Sequence, residues 1–248
     1  MSLRDDINNI TKQLLNGVMQ QLTVTDKDAY VKDDVSKVTR TRVTAELCST
    51  LVKLHNLKIS EHKSMIKKLT KWLLDNQNAD GSWNETHINY NKPSTVFTSI
   101  CALSLLETSE SFPDLNIDEE IFDRAAKFIL KQENYYGEYR KSELVHADIL
   151  NADAMAAAFL LKFGNKSSNE NYIKAGERAI ANICLHQFID GAYPYSGPKR
   201  AYPYKYHFYI PCIHYQAVTL YYLIKSALYI KSESLQHSIL SGAKWLLK

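Results

Sequence analysis

Two aspartates five residues apart open an apolar stretch that reads Asp148-Ile149-Leu150-Asn151-Ala152-Asp153-Ala154-Met155. A carboxyl group partly buried in the opening turn of an apolar helix has its pKa raised, which suits a general acid. A structural role answers to the same residues: Asp148 caps the helix, and Asp153 bonds to a neighbouring loop. His146 precedes Asp148 by two residues, close enough to share a site. His214 opens a later apolar stretch beside Tyr209 and Tyr215. A histidine and a carboxylate converging from adjacent helices form an acid/base pair, while each histidine alone also reads as a hydrogen-bonded structural residue. Glu46, inside the apolar run Val43 to Leu54, is a further buried-acid candidate.

Binding chemistry points to another stretch. Of the 16 tyrosines, ten fall between Tyr193 and Tyr229, and the densest part is a long polar run between two apolar stretches. Tyr195, Arg200, Tyr202, Tyr204, His207, Tyr209 and Tyr215 are its candidate ligand-contacting residues. Tyrosines beside cationic groups stack on sugar rings, bind phosphate, or line a pocket with a polar rim. The same loop also reads as a lid over the open side of a small ring. Trp83 joins the substrate-contacting candidates, and it equally packs its own loop onto neighbouring elements. Arg40 and Arg42, ahead of an apolar run, suit an anion such as a diphosphate or simply a solvated surface.

The elements that must position these groups repeat. Lys71-Trp72-Leu73-Leu74 leads through a polar turn to Gly81 and Trp83; Lys127-Phe128-Ile129-Leu130 leads to Gly137 and Tyr139; Asn182-Ile183-Cys184-Leu185 leads to Gly191 and Tyr193. A fourth copy begins at Lys244-Trp245-Leu246-Leu247. Each is a helix end, a short polar stretch, a glycine, and an aromatic residue two positions later. Glycine past a helix end takes positive φ without a Cβ penalty and reverses the chain. After each turn comes a helix that is apolar nearly all round, such as 98–107, 152–163 and 215–224, and therefore buried on several sides. The helices before the turns carry a polar face. The pattern predicts outer helices at 3–22, 60–76, 117–132, 168–187 and 235–248, and inner helices at 38–56, 94–107, 147–163 and 211–230. No period-2 stretch competes, so strand content near zero is expected. The fold class expected is all-α, an α/α toroid forming a partial barrel of four to five hairpins in one domain over 1–248.

The segment Gln77-Asn78-Ala79-Asp80-Gly81-Ser82-Trp83 matches the QxxDGSW repeat in full, and so resembles the squalene cyclase and prenyltransferase repeat superfamily. The stretch Ser94 to Leu103 is similar to the inner helix that follows that repeat. Weaker copies at Gly137 and Gly191 extend the resemblance over most of 40–248. The resemblance implies inner helices around a central cavity whose mouth holds the chemistry, with an isoprenoid or polyprenyl substrate. Three departures stand beside it. The stretch at Asp148 has no DxDD acid motif, no Asp-x-Cys pair offers the zinc ligands of a prenyltransferase, and four inner helices are fewer than a closed ring of six hairpins needs.

Composition bounds the rest. Over 248 residues, 45% hydrophobic and 23% charged residues describe an ordinary globular chain. A net charge of +3 without a basic block excludes a nucleic-acid footprint. Cys48, Cys101, Cys184 and Cys212 lie far apart without metal spacing, which reads as reduced thiols in a cytoplasmic protein; no metal and no cofactor are expected. No run reaches transmembrane length. The open ring allows a homodimer or a continuation beyond Lys248 as partner. The leading functional expectation is an isoprenoid substrate in a central cavity. The alternatives are a carbohydrate-active toroid of polysaccharide lyase or epimerase type, taking an oligosaccharide, and a non-catalytic binding or scaffold module.

Overall fold

The computed structural model describes residues 3–143, 145–196 and 210–248, with the side chains of 3–8 and 145–147 outside that description. Nine helices occur among the described residues: α1 (Leu3–Met19), α2 (Thr41–Asn56), α3 (Lys63–Asp75), α4 (Thr95–Ser111), α5 (Glu119–Lys131), α6 (Leu150–Ser167), α7 (Glu170–His186), α8 (Ile213–Ser226) and α9 (Glu233–Leu246). Each falls within three residues of a start, and within four of an end, read from the hydrophobic pattern. Side chains cap several outer helices: Asp118 accepts from the Glu120 amide at 2.9 Å, and Ser232 accepts from the Leu235 amide at 3.2 Å.

Outer and inner helices alternate as the pattern predicts. In α6 every residue from Leu150 to Leu161 is buried, and the helix packs on α4, α7 and α8. In α5 only Phe122, Ala125, Ala126, Phe128 and Ile129 are buried, the single apolar stripe of a helix with one wet face. The inner helices α2, α4, α6 and α8 follow one another side by side, each backed by an outer helix.

The three glycine turns dock each hairpin on the next. Gly81 has φ 89°, and a Cβ there would stand 2.3 Å from the Arg124 carbonyl oxygen on α5. Gly137 meets Arg178 on α7 in the same way, and Gly191 meets Ser241 on α9. Gln77 Nε2 fastens the first turn by donating to the Gly81 and Ile121 carbonyls at 3.0 and 2.9 Å; Gln187 does the same with Gly191 and Ser238, both at 2.9 Å.

The expected near-absence of strands is corrected. Two short strands pair antiparallel after α1, β1 (Leu22–Val24) with β2 (Ala29–Val31). Five more form a small antiparallel sheet: β3 (Trp83–His87), β4 (Tyr90–Ser94), β5 (Glu133–Tyr135), β6 (Glu138–Ser142) and β7 (Val145–Asp148). They run in the order β3-β4-β6-β5, with β7 also on β6. The cause is connection length. Inner helices return to outer ones through short links at 57–62, 112–118, 168–169 and 227–232, whereas the links into inner helices at 20–40, 76–94 and 132–149 are long and satisfy their backbone groups by pairing. All the long links lie at the N-terminal ends of the inner helices, so the strands build one rim there. Among the described residues no helix is long and apolar enough to cross a membrane.

Candidate functional site

Four side chains at equivalent places on the inner helices receive the incoming turns. Thr44 Oγ1 accepts from the Val31 amide at 3.0 Å, and Thr98 Oγ1 from the Trp83 amide at 3.0 Å. Asp153 Oδ1 accepts from the Tyr139 amide at 2.8 Å, and Gln216 Oε1 from the Tyr193 amide at 2.7 Å. The register that aligned Asp153 with Thr98 and Thr44 thus places it at a bond that fixes the turn, as the loop-bonding reading of Asp153 has it. Asp148 departs from the capping role, since the cap of α6 is Ile149 and makes no side-chain bond. The Asp148 carboxylate instead faces Asn182 of α7, whose Nδ2 lies 3.4 and 3.5 Å from its oxygens and 3.2 Å from Asp153 Oδ2. Asp153 is wholly buried. Burial first, and the Asp148 carboxylate second, push its carboxyl well above the usual range, against the Tyr139 amide and Asn182.

A cleft of about 350 Å³ opens between α2, α4 and α8 and includes neither aspartate. Its walls carry Arg42, Glu46, Ser49 and Lys53 from α2, Glu107 from α4, and His214, Tyr221, Tyr222 and Lys225 from α8. Helical spacing places Arg42, Glu46, Ser49 and Lys53 on one stripe of α2, and His214, Tyr221 and Lys225 on one stripe of α8. Arg42 Nε donates to Glu46 Oε1 at 2.8 Å. Lys225 forms an ion pair with Glu107, whose other oxygen accepts from Ser49 Oγ at 2.5 Å. Burial pushes the Glu107 carboxyl up, but the Lys225 ammonium, the Ser49 hydroxyl and Lys53 together outweigh it and hold the group below its ordinary value. Lys53 Nζ sits 2.5 Å from the Tyr221 hydroxyl and 5.1 Å from that ring's centroid.

The structure therefore brings together two candidates read from sequence, Glu46 and His214, and adds Glu107, Lys53, Tyr221 and Lys225, which sequence reasoning missed. Glu107 had a legible signal: a charged residue closing the apolar run 98–107. Tyr195 and Tyr215 also meet, with ring centroids 4.4 Å apart, and the His214 ring lies edge-on to Tyr215 at 5.2 Å. Burial, then the neighbouring Tyr215, raise the Tyr195 hydroxyl to about 12. Trp83 is wholly buried, and its indole Nε1 donates to the Leu73 carbonyl at 2.8 Å, so its ring belongs to the core. Arg200, Tyr202, Tyr204, His207 and Tyr209 lie outside the described residues, as does the side chain of His146.

No protein-family model matches the chain, and no curated protein matches it in sequence. Solved structures do match its fold. An α-mannanase of family GH76 from Bacteroides thetaiotaomicron superposes with a TM-score of 0.70 at 10% identity, over 99% of this chain and 68% of that one. The Rex8A mutant L320A from Paenibacillus barcinonensis, complexed with xylose, gives 0.66 at 11% identity, over 93% and 70%. A possible GH105 member from Salmonella enterica gives 0.60 at 9% identity, over 98% and 66%. These matches support the α/α toroid and correct the resemblance to squalene cyclases and prenyltransferases, together with the isoprenoid substrate it implied. The physical reason is visible in the motif. The QxxDGSW segment is a docking turn that any ring of stacked hairpins can use, and it carries no chemistry.

Proposed function

We propose that this chain is a carbohydrate-active protein that seats a short oligosaccharide in the cleft between α2, α4 and α8. One observation carries the reading: two carboxylates, Glu46 and Glu107, share that cleft with aromatic rings and cations. A sugar presents hydroxyls at its edges and C–H groups on its faces. Carboxylates, Arg42 and Lys53 answer the hydroxyls, and the Tyr221 ring answers a face. The fold shared with solved structures of a mannanase and a xylose complex supports the same substrate class.

If the bound sugar is cleaved, the two carboxylates divide the work as glycosidases do. Glu107, held ionised by Lys225, stabilises positive charge developing at the anomeric carbon or draws a proton from water. Glu46 is the other carboxylate of the cleft and the candidate proton donor to the leaving oxygen. The ion pairs of both carboxylates also favour a second reading, a sugar-binding module without turnover. The Cys48 and Cys101 thiols, buried and raised by that burial, fit a reducing compartment such as the cytoplasm.

Calorimetric titration with xylan- and mannan-derived oligosaccharides, alongside chromatographic analysis of products, tests both readings. Binding that weakens about tenfold or more in Glu107→Gln is expected, since a hydrogen bond to a charged group is lost. Product formation abolished in Glu107→Gln and in Glu46→Gln identifies turnover, while binding without products leaves the module. No binding of any saccharide sinks the proposal.

A further inference from the structure

The stripe of α8 that lines the central cleft carries Val218, Tyr221, Tyr222 and Lys225. Lys225 is engaged by Glu107, and Tyr221 by Lys53. The smaller hydroxyls of the cleft are spent as well. Ser49 donates to Glu107 at 2.5 Å, Thr50 to the Glu46 carbonyl at 2.8 Å, and Ser104 to the Ala45 carbonyl at 2.8 Å. Tyr222 is different. Only 7% of it is exposed, and its ring lies edge-on to Tyr221 with centroids 5.0 Å apart. Among the described residues its hydroxyl has no hydrogen-bond partner, yet it is not one of the side-chain atoms sealed from solvent. The charged groups that act on this hydroxyl, Glu46, Arg42 and Glu107, all line the cleft, so the surface it keeps opens there. A largely buried hydroxyl without a partner costs free energy, and native proteins rarely leave one so.

We propose that Tyr222 is a ligand-binding residue of the cleft, whose hydroxyl donates a hydrogen bond to an oxygen of the bound saccharide. The inference rests on the carbohydrate reading of the same cleft and deepens it. A saccharide carries two kinds of oxygen. Its hydroxyls donate, and carboxylates such as Glu46 and Glu107 accept from them. Its ring and glycosidic oxygens bear no hydrogen, so they need a donor from the protein. The cations of the cleft each hold a partner already: Arg42 has Glu46 at 2.8 Å, Lys225 has Glu107, and Lys53 has Tyr221. Tyr222 is the donor without a prior commitment. It also keeps its proton at neutral pH. Burial first, and the Glu46 carboxylate next, hold its hydroxyl above the ordinary tyrosine value, with Arg42 opposing them.

The test compares the full chain with Tyr222→Phe, which keeps the ring and removes only the hydroxyl. Both are titrated with xylan- and mannan-derived oligosaccharides by calorimetry and by tyrosine ring-carbon NMR, and their melting temperatures are measured. The Tyr222 signal is assigned by its loss in Tyr222→Phe. Three results are expected together: the Tyr222 signal moves on titration, Tyr222→Phe binds about three- to tenfold more weakly, and its melting temperature is unchanged or higher. A lower melting temperature means that the hydroxyl serves a partner inside the protein, and overturns the inference. Equal affinity of the two proteins, or a Tyr222 signal that stays in place while the saccharide binds, also overturns it and leaves the carbohydrate reading standing. Binding of no saccharide to the unsubstituted chain overturns both.

Discussion

Two carboxylates illustrate opposite ways of burying a charge. Asp153 is wholly enclosed, accepts a bond from the Tyr139 amide, and has a second carboxylate for a neighbour, so its carboxyl keeps a proton that the unfolded chain releases above about pH 4. The folded state then binds more protons than the unfolded one, and stability falls as pH rises from the ordinary carboxylate range towards the raised value. Asp153→Asn keeps an oxygen for the Tyr139 amide and gains an amide that donates to Asp148, while Asn182 gives up its bond to the Asp153 side chain and keeps Asp148. It is expected to be more stable than the parent at neutral pH, with a flatter decline, as read by urea denaturation across a pH series. Parallel profiles for the two proteins would count against a shared proton. Glu107 has the reverse sign. Its carboxyl lies below the ordinary value, so the stability it contributes is present above the ordinary range and is lost as pH falls through the lowered value. Of these features, sequence showed that Asp153 occupied a repeat position, since its alignment with Thr98 needed only counting. It did not show that Asp148 would face Asn182, because that bond spans 34 residues and depends on how α7 lies against β7.

At the scale of the element, the glycine turn holds each hairpin to the next. A methyl group at Gly81 would sit 2.3 Å from a backbone oxygen that has no rotamer to escape by, on a backbone at φ 89°. Gly81→Ala is expected to cost about 2–4 kcal/mol, strain and overpacking together. Chemical denaturation measures it, and a change under about 1 kcal/mol would mean that the turn docks less rigidly than these distances describe. Thr98→Val, which removes the acceptor of the buried Trp83 amide while keeping the side chain's shape, is expected to cost about 1–3 kcal/mol. Helices were legible because apolar residues recur along them for many turns. The strands were not, because each spans at most five residues and the inward position of β3 is held by Glu85, a charged residue that breaks the alternation of apolar and polar. A charged residue on an inward strand position hides the very pattern that would have revealed the strand.

For the whole molecule, contacts across the cleft join helices far apart in the chain. Lys225 on α8 reaches Glu107 on α4, and Lys53 on α2 reaches Tyr221 on α8, so the first, second and fourth inner helices are joined around the cleft. Lys225→Met leaves Glu107 largely buried without its cation. The loss expected is about 2 kcal/mol, less than the about 3–5 kcal/mol of a fully buried pair because both partners keep some exposure. The same change should raise the Glu107 pKa and shift the acid limb of any saccharide-dependent activity to higher pH. An unmoved acid limb would remove Glu107 from the chemistry.

Local order set much of this protein before any tertiary contact is considered. The period of the apolar residues, the glycines at 81, 137 and 191, and the alternation of greasy and half-wet helices are properties of adjacent residues, and they suffice for a ring of stacked hairpins. Which side chains share a cavity is another matter. Glu46, Glu107 and His214 lie 61 and 107 positions apart in the chain, and a helix can turn any of its faces to the centre without altering its own periodicity. Only the packing of α2, α4 and α8 against one another selects the face, and that selection brought two carboxylates, cations and aromatic rings to one cleft.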